Sequence, residues 1–163
     1  MKKLVLLLLV LFSLFSFAKK VNIVILETSD LHGRLFSYDY AIDQVDSSAG
    51  LTKVATIIKE ERAKNKNLIL ADNGDTVQDN NAELFNSMPI HPMIQGLNDL
   101  KYDFWTLGNH EFNFEKEFLL KNISGFKGKV LSANVIKEDG KPLVNPYIIK
   151  NIDGVRVAFI GMT

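Results

Sequence analysis

The stretch Phe104-Trp105-Thr106-Leu107-Gly108-Asn109-His110-Glu111 joins a short apolar run directly to residues that turn the chain, hold metals or carry protons. Such a run reads as a buried strand, and the Gly with its polar followers reads as the loop at the strand's end. The same junction occurs twice upstream. Val21 to Leu26 leads into Thr28-Ser29-Asp30-Leu31-His32-Gly33, and Leu68 to Ala71 leads into Asp72-Asn73-Gly74-Asp75-Thr76. Between those two lie Leu51, Val54, Ile57 and Ile58 at helical spacing, with Lys59, Glu60, Glu61, Arg62 and Lys64 on the wet side. That is an amphipathic helix.

Working outward, a second helix is predicted over Ile90 to Leu100, with Pro92 tolerated in its first turn, and a third from about Phe114 to Lys121. Val130-Leu131 and Val155 to Ile160 supply further apolar runs. Strand, helix, strand, helix, strand implies parallel neighbours. Tyr147 to Lys150, the turn Asn151-Ile152-Asp153-Gly154 and the run from Val155 read as an antiparallel hairpin. The fold class is therefore α/β, a mixed β-sheet with flanking helices. The connection Leu35 to Ser48, which includes Tyr38, Asp39 and Tyr40, shows no period and is long enough to be functional.

Composition narrows the function. Of 163 residues 47% are hydrophobic, which suits a folded domain. Lys+Arg and Asp+Glu are both 19, so no field of one sign would hold a nucleic-acid polymer or an anionic membrane surface. The absence of Cys removes disulfides, thiolate nucleophiles and zinc-thiolate sites, leaving His, Asp, Glu and Asn as metal ligands. Lys2 and Lys3 precede an apolar run from Leu4 to Phe17 that ends in Ser16-Phe17-Ala18, a small-x-small cleavage pattern. Residues 1–18 thus read as a signal peptide, too short to span a bilayer as a stable anchor, and imply export to the periplasm or medium. Residues 19–163 are left as one domain. The last strand ends only three residues before Thr163, which reads as an incomplete domain, a fragment.

In open α/β sheets ligands collect beyond the carboxyl ends of the strands, where these clusters lie. Residues two apart in an extended segment point the same way, so Asp30 and His32 can grip one ion; taken alone, the pair reads first as a plain strand-ending turn with Asp as a cap. Asp75 follows Gly74 in a tight bend, and its two oxygens can bridge cations ~3.5–4 Å apart, although Asn-Gly-Asp is also an ordinary turn. Asp72 and Asp79 read as capping or solvated carboxylates. An Asn109 carbonyl is a neutral hard ligand suited to a site crowded with carboxylates, or else a helix cap. The neighbouring His110 can donate to a phosphoryl oxygen as charge develops.

Taken together, Asp30-x-His32, Gly74-Asp75 and Gly108-Asn109-His110-Glu111 resemble the blocks of the calcineurin-like metallophosphoesterase superfamily. Tyr38-Asp39-Tyr40, Ala49-Gly50-Leu51 and Leu107 to Phe112 look like its 5′-nucleotidase family, on the 2′,3′-cyclic-nucleotide 2′-phosphodiesterase/3′-nucleotidase branch. The resemblance implies a metallophosphoesterase sandwich of which residues 21–163 form the first half or less. It implies two divalent metal ions (Mn, Zn, Fe or Co), with Asp30 and His32 on the first, Asp75 bridging, Asn109 on the second and His110 stabilising the transition state. The substrate would be a nucleotide or other phosphate ester, hydrolysed by metal-activated water.

Two departures stand out. Many relatives carry an Asp where this chain has Asn113, which puts in question how His110 is supported. The family completes its sites with later histidines, whereas this sequence holds only His32, His91 and His110. His91 lies at a helix start and reads as structural or near the substrate entrance. The remaining ligands, and the nucleoside site of a second domain, would come from the missing C-terminal region. Tyr38 and Tyr40 can stack on a base or simply pack, and Arg34 can reach phosphate or solvent.

Overall fold

The computed structural model describes residues 20–163, so the reading of residues 1–18 as a signal peptide lies outside the described residues. Four strands, β1 (Val24–Thr28), β4 (Leu68–Asp72), β5 (Phe104–Thr106) and β6 (Lys129–Leu131), form one sheet in the order β1-β4-β5-β6. Every pairing in it is parallel. The crossovers are helices α1 (Leu51–Lys64), α2 (Pro92–Asp99) and α3 (Lys116–Gly125). Among the described residues, antiparallel strands form two separate ribbons, β2 (Tyr38–Asp39) with β3 (Gln44–Val45), and β7 (Tyr147–Ile152) with β8 (Val155–Ile160).

Side-chain alternation along the strands sorts the core into two layers. Leu70, Trp105 and Val130 point into a cluster with Leu51 and Ile58 of α1, Ile94 and Leu97 of α2, and Phe118 and Leu119 of α3. Their neighbours Ile69, Phe104 and Leu131 point the other way, to Ile148, Ile152, Val157 and Phe159 of the β7–β8 ribbon. Phe104 and Phe159 meet with ring centroids 4.6 Å apart. Helices therefore cover one face of the sheet and the ribbon covers the other.

The structure adjusts three expectations. Strands β1 and β8 alternate between half-buried and exposed rather than being buried throughout, and Ile25 is 55% exposed. In β1 the reason is its place at the sheet edge. Helix α3 starts two residues later than its apolar pattern suggested: Phe114 stays outside and packs on Phe118 at 4.7 Å, and Glu115 takes the N-cap position. The connection over 35–48 contains the small β2–β3 ribbon, too short to leave a period in the sequence.

Candidate metal centre

The three polar clusters follow β1, β4 and β5 at one end of the sheet, and their backbones are tied to one another. Past the last residues of β1 and β4, the amides of Asp30, His32 and Gly33 donate to the carbonyls of Gly74, Asp75 and Thr76 at 3.0, 2.9 and 2.9 Å. The second and third clusters touch through their glycines. A Cβ on Gly74 would meet Gly108 N at 2.2 Å, and one on Gly108 would meet Asp75 Oδ1 at 2.2 Å. At φ +94° Gly74 also adopts a backbone that other residues rarely take.

Two buried carboxylates complete the frame. Glu111 accepts from Asp75 N and Gly108 N on one oxygen, at 2.9 and 2.7 Å, and from Thr76 N on the other at 2.7 Å. Burial raises its pKa, while those three amides pull it down. Asp72 accepts from Thr28 Oγ1 at 2.6 Å, Thr76 Oγ1 at 2.5 Å and Gly74 N at 3.2 Å. Burial pushes its pKa up to about 7, against the opposing pull of those same hydrogen bonds. Asp72 thus caps the turn, as one reading of the sequence had it, but it is wholly buried rather than solvated.

On this frame His32, Asp75 and His110 converge, each offering one donor atom with all three within 4.8 Å of one another. The two imidazoles meet edge to face with centroids 5.1 Å apart. Asp75 Oδ1 accepts from His110 N at 2.9 Å, while Oδ2 lies 4.0 Å from His110 Nε2. Asp30 is nearby and more open: its side chain is 64% exposed and Oδ1 lies 3.8 Å from His32 Nε2. Asn109 stands exposed at the head of the short turn His110–Phe112 and makes no side-chain capping bond. Asp30, His32 and Asp75 all have left-handed backbones, φ 55°, 45° and 55°. Three such residues together are uncommon, and each costs about 1–3 kcal/mol, a pattern associated with functional sites.

A carboxylate between two imidazoles, with no Lys or Arg ion-paired to Asp30, Asp75 or Asp79 among the described residues, is a donor set suited to a divalent cation. Two neighbours escaped the sequence reading. Asp79, expected to be a cap or solvated, places Oδ2 3.0 Å from His32 Nδ1. The contact is out of line for a hydrogen bond, and no other partner reaches that buried nitrogen among the described residues. Gln78 Oε1 meets His110 Nδ1 at 2.5 Å. A Gln-Asp pair three residues after the Gly74-Asp75 bend gives no local signal; only the folded loop shows its aim.

His91 is remote from this group. It caps α2 through Nδ1, which accepts from Met93 N at 3.3 Å, and its Nε2 lies 3.1 Å from Ala82 O. Burial lowers its pKa to about 4, so it stays neutral and structural, one of the two roles expected of it. Tyr38 and Tyr40 pack on each other at 4.9 Å, and Arg34 Nη1 pairs with Asp46 at 2.5 Å.

Comparison with known proteins identifies the family. The calcineurin-like phosphoesterase family matches residues 23–160. The trifunctional nucleotide phosphoesterase protein YfkN of Bacillus subtilis is 35% identical over 90% of this chain, and the 2′,3′-cyclic-nucleotide 2′-phosphodiesterase/3′-nucleotidase of Yersinia enterocolitica is 36% identical over 88%. The chain spans 11% and 24% of the lengths of those two relatives. Among solved structures, a putative 5′-nucleotidase from Staphylococcus aureus superposes with a TM-score of 0.77 at 28% identity, over 87% of this chain and 28% of that one. A family match over residues 23–160, a range that includes all three loops of the polar cluster, means that the chain belongs to the calcineurin-like phosphoesterase family.

Proposed function

We propose that the protein is an exported, metal-dependent phosphoesterase acting on nucleotide phosphate esters, of the 2′,3′-cyclic-nucleotide 2′-phosphodiesterase/3′-nucleotidase type. The observation that carries this reading is the convergence of His32, Asp75 and His110 within 4.8 Å at the carboxyl end of a parallel sheet. Asp30 and His32 would hold one cation and Asn109 a second, with Asp75 offering an oxygen to each. Mn, Zn, Fe and Co all suit such nitrogen and oxygen ligands. Divalent cations bound there supply Lewis-acid polarisation of the ester and a water acidic enough to attack at neutral pH.

His110 performs the protein's own proton chemistry. Its Nε2 is the ring nitrogen on the side of Asp75, so the doubly protonated ring, with hydrogen on both nitrogens, can offer its Nε2 proton to charge on a phosphoryl oxygen or on the departing alkoxide. The ligands that fill out two sites, and the nucleoside contacts, are assigned to polypeptide beyond the described residues. Support for that comes from the relatives, whose matched segments are a quarter of their length or less. A 5′-nucleotidase range is the second reading, supported by the superposition on the S. aureus protein. Export rests on the pattern of residues 1–18; no helix among the described residues is long and apolar enough to cross a membrane.

The test is hydrolysis of bis-p-nitrophenyl phosphate and 2′,3′-cyclic AMP with added Mn²⁺, alongside calorimetric Mn²⁺ binding, for the chain and for Asp75→Asn. Saturable binding and metal-dependent turnover, both lost in Asp75→Asn, are expected. A folded chain that binds no Mn²⁺ and hydrolyses neither ester would overturn the reading.

A further inference from the structure

Where a carboxylate is a common partner for a site histidine, His110 Nδ1 here meets two amides, Gln78 Oε1 at 2.5 Å and Asn113 Nδ2 at 2.9 Å. The geometry points to a different device: we propose that the adjoining residues Gln78 and Asp79 act as a pair of positioning residues, each occupying the Nδ1 of one site histidine, so that His110 and His32 both present Nε2 to the site.

The orientation of the Gln78 amide is the crux, since its oxygen and nitrogen differ only in the partners they accept. Gln78 Nε2 donates to Asp79 Oδ1 at 3.3 Å, and Asp79, as a carboxylate, can only accept. That turns Gln78 Oε1 towards His110, where it lies 2.5 Å from Nδ1. Two lone pairs at that distance would repel, so Nδ1 carries the hydrogen and donates it to Gln78 Oε1. Asn113 Nδ2 donates to the same oxygen. Asn113 also lies 2.9 Å from His110 Nδ1, but a ring nitrogen already carrying hydrogen accepts nothing. The ring nitrogen left with its lone pair is Nε2, on the Asp75 side.

The other half of the pair does the same for His32. Asp79 Oδ2 lies 3.0 Å from His32 Nδ1, out of line for a hydrogen bond as the ring stands but nearer than Asp30 Oδ1, which is 3.8 Å from Nε2; turning the ring to align Nδ1–H with the nearer carboxylate leaves Nε2 to the site. The backbone is shaped for this. Asp79 has φ 71° and Asn80 φ 59°, Asn80 Nδ2 donates to His32 O, and a Cβ on Gly33 would meet Asp79 O at 2.1 Å. The segment after the Asp75 bend is thereby pressed against the loop that carries His32.

This inference rests on the reading above only for the use to which Nε2 is put. Its test can therefore be run on metal-free protein, with no activity required. Long-range proton–nitrogen correlation of the imidazole rings at about pH 8, above the ordinary histidine range, reports which nitrogen carries hydrogen. His32→Gln and His110→Gln assign the rings, and His91 is an internal reference: its Nδ1 accepts from Met93 N, so it must appear as the Nε2–H form. The expected result is Nδ1–H at His32 and His110. Gln78→Leu should return His110 to the mixture of a free imidazole, and Gln78→Glu should retain Nδ1–H. Asp79→Asn, which keeps the size and tolerates the left-handed backbone, should release His32 and weaken Mn²⁺ binding about 10–100-fold. Nε2–H at His110 in the unsubstituted chain overturns the proposal even if no variant folds, and so does unchanged Nδ1–H in a folded Gln78→Leu protein. Absence of ester hydrolysis would instead count against the functional reading alone.

Discussion

The loops after β4 and β5 and the loop after β1 contribute to one site by opposite means. Asp75 and His110 sit on loops locked together by Glu111 and by two glycines back to back, with Asp75 only 16% exposed. Asp30 sits on a loop held by backbone bonds to 74–76 and by the Asn80 side chain on His32 O, with no buried carboxylate beneath it, and its own carboxylate is 64% exposed. One half of the centre is built like a core and the other like a surface. Substitutions should therefore disturb fold and metal binding together in the first half, and metal binding alone in the second.

The sharpest way to break that contrast is Gly108→Ala. The added carbon has no room beside Asp75 Oδ1, so the expectation is a loss of about 1–3 kcal/mol of stability together with loss of Mn²⁺ binding, read by urea unfolding and calorimetry. A tolerated Ala would show that the two loops are not locked. Glu111→Gln should follow, because a single amide oxygen cannot serve three amides placed around two oxygens. Leaving a buried donor unpaired costs about 1–3 kcal/mol, visible as a lower thermal midpoint even without metal.

The buried carboxylate of Asp72 gives the locked half a pH signature. With its pKa raised from 3.8 to about 7 in the fold, the folded state favours the protonated form. Its contribution is present below about pH 4 and is lost as the pH rises through about 7. His91 acts in the opposite sense. Lowered from 6.5 to about 4, it contributes above 6.5, and that contribution is lost as the pH falls through about 4. Asp72→Asn should therefore make stability climb more steeply with pH between about 4 and 7, since a falling contribution is removed and the rising one from His91 remains. Urea midpoints across that window decide it; an unchanged slope would mean that Asp72 titrates normally. The smallest effect belongs to the open half: Asp30→Asn should leave unfolding within about 0.5 kcal/mol of the parent while weakening Mn²⁺ binding.

Much of this was legible in the sequence. Each of the three blocks follows an apolar run, so strand periodicity alone placed Asp30, His32, Asp75, Asn109 and His110 at one end of a sheet. The hairpin over 147–160 and the amphipathic α1 were equally open to local reading, because turn residues and helical spacing are local facts. What stayed hidden was whatever depends on contact between loops. Asp72 and Glu111 lie beside obvious site residues, yet nothing local says that they are buried and shared by neighbouring loops. Gln78 and Asp79 look like an ordinary solvated turn until the fold turns Gln78 towards His110, 32 residues away in the chain, and Asp79 towards His32, 47 residues away. The start of α3 was misjudged for a related reason: Phe114 fits the helical period but is used outside the helix, against Phe118.

Six amides around the centre find their acceptors in a neighbouring loop: Asp30, His32 and Gly33 on 74–76, Asp75 and Thr76 on Glu111, His110 on Asp75. Bonds that close within one loop, such as Gly108 N on Glu111 and Arg34 N on Leu31 O, shape each loop singly. The bonds between loops can form only when β1, β4 and β5 are side by side. A molecule whose loops have parted would therefore lose this ligand set before it had lost its core.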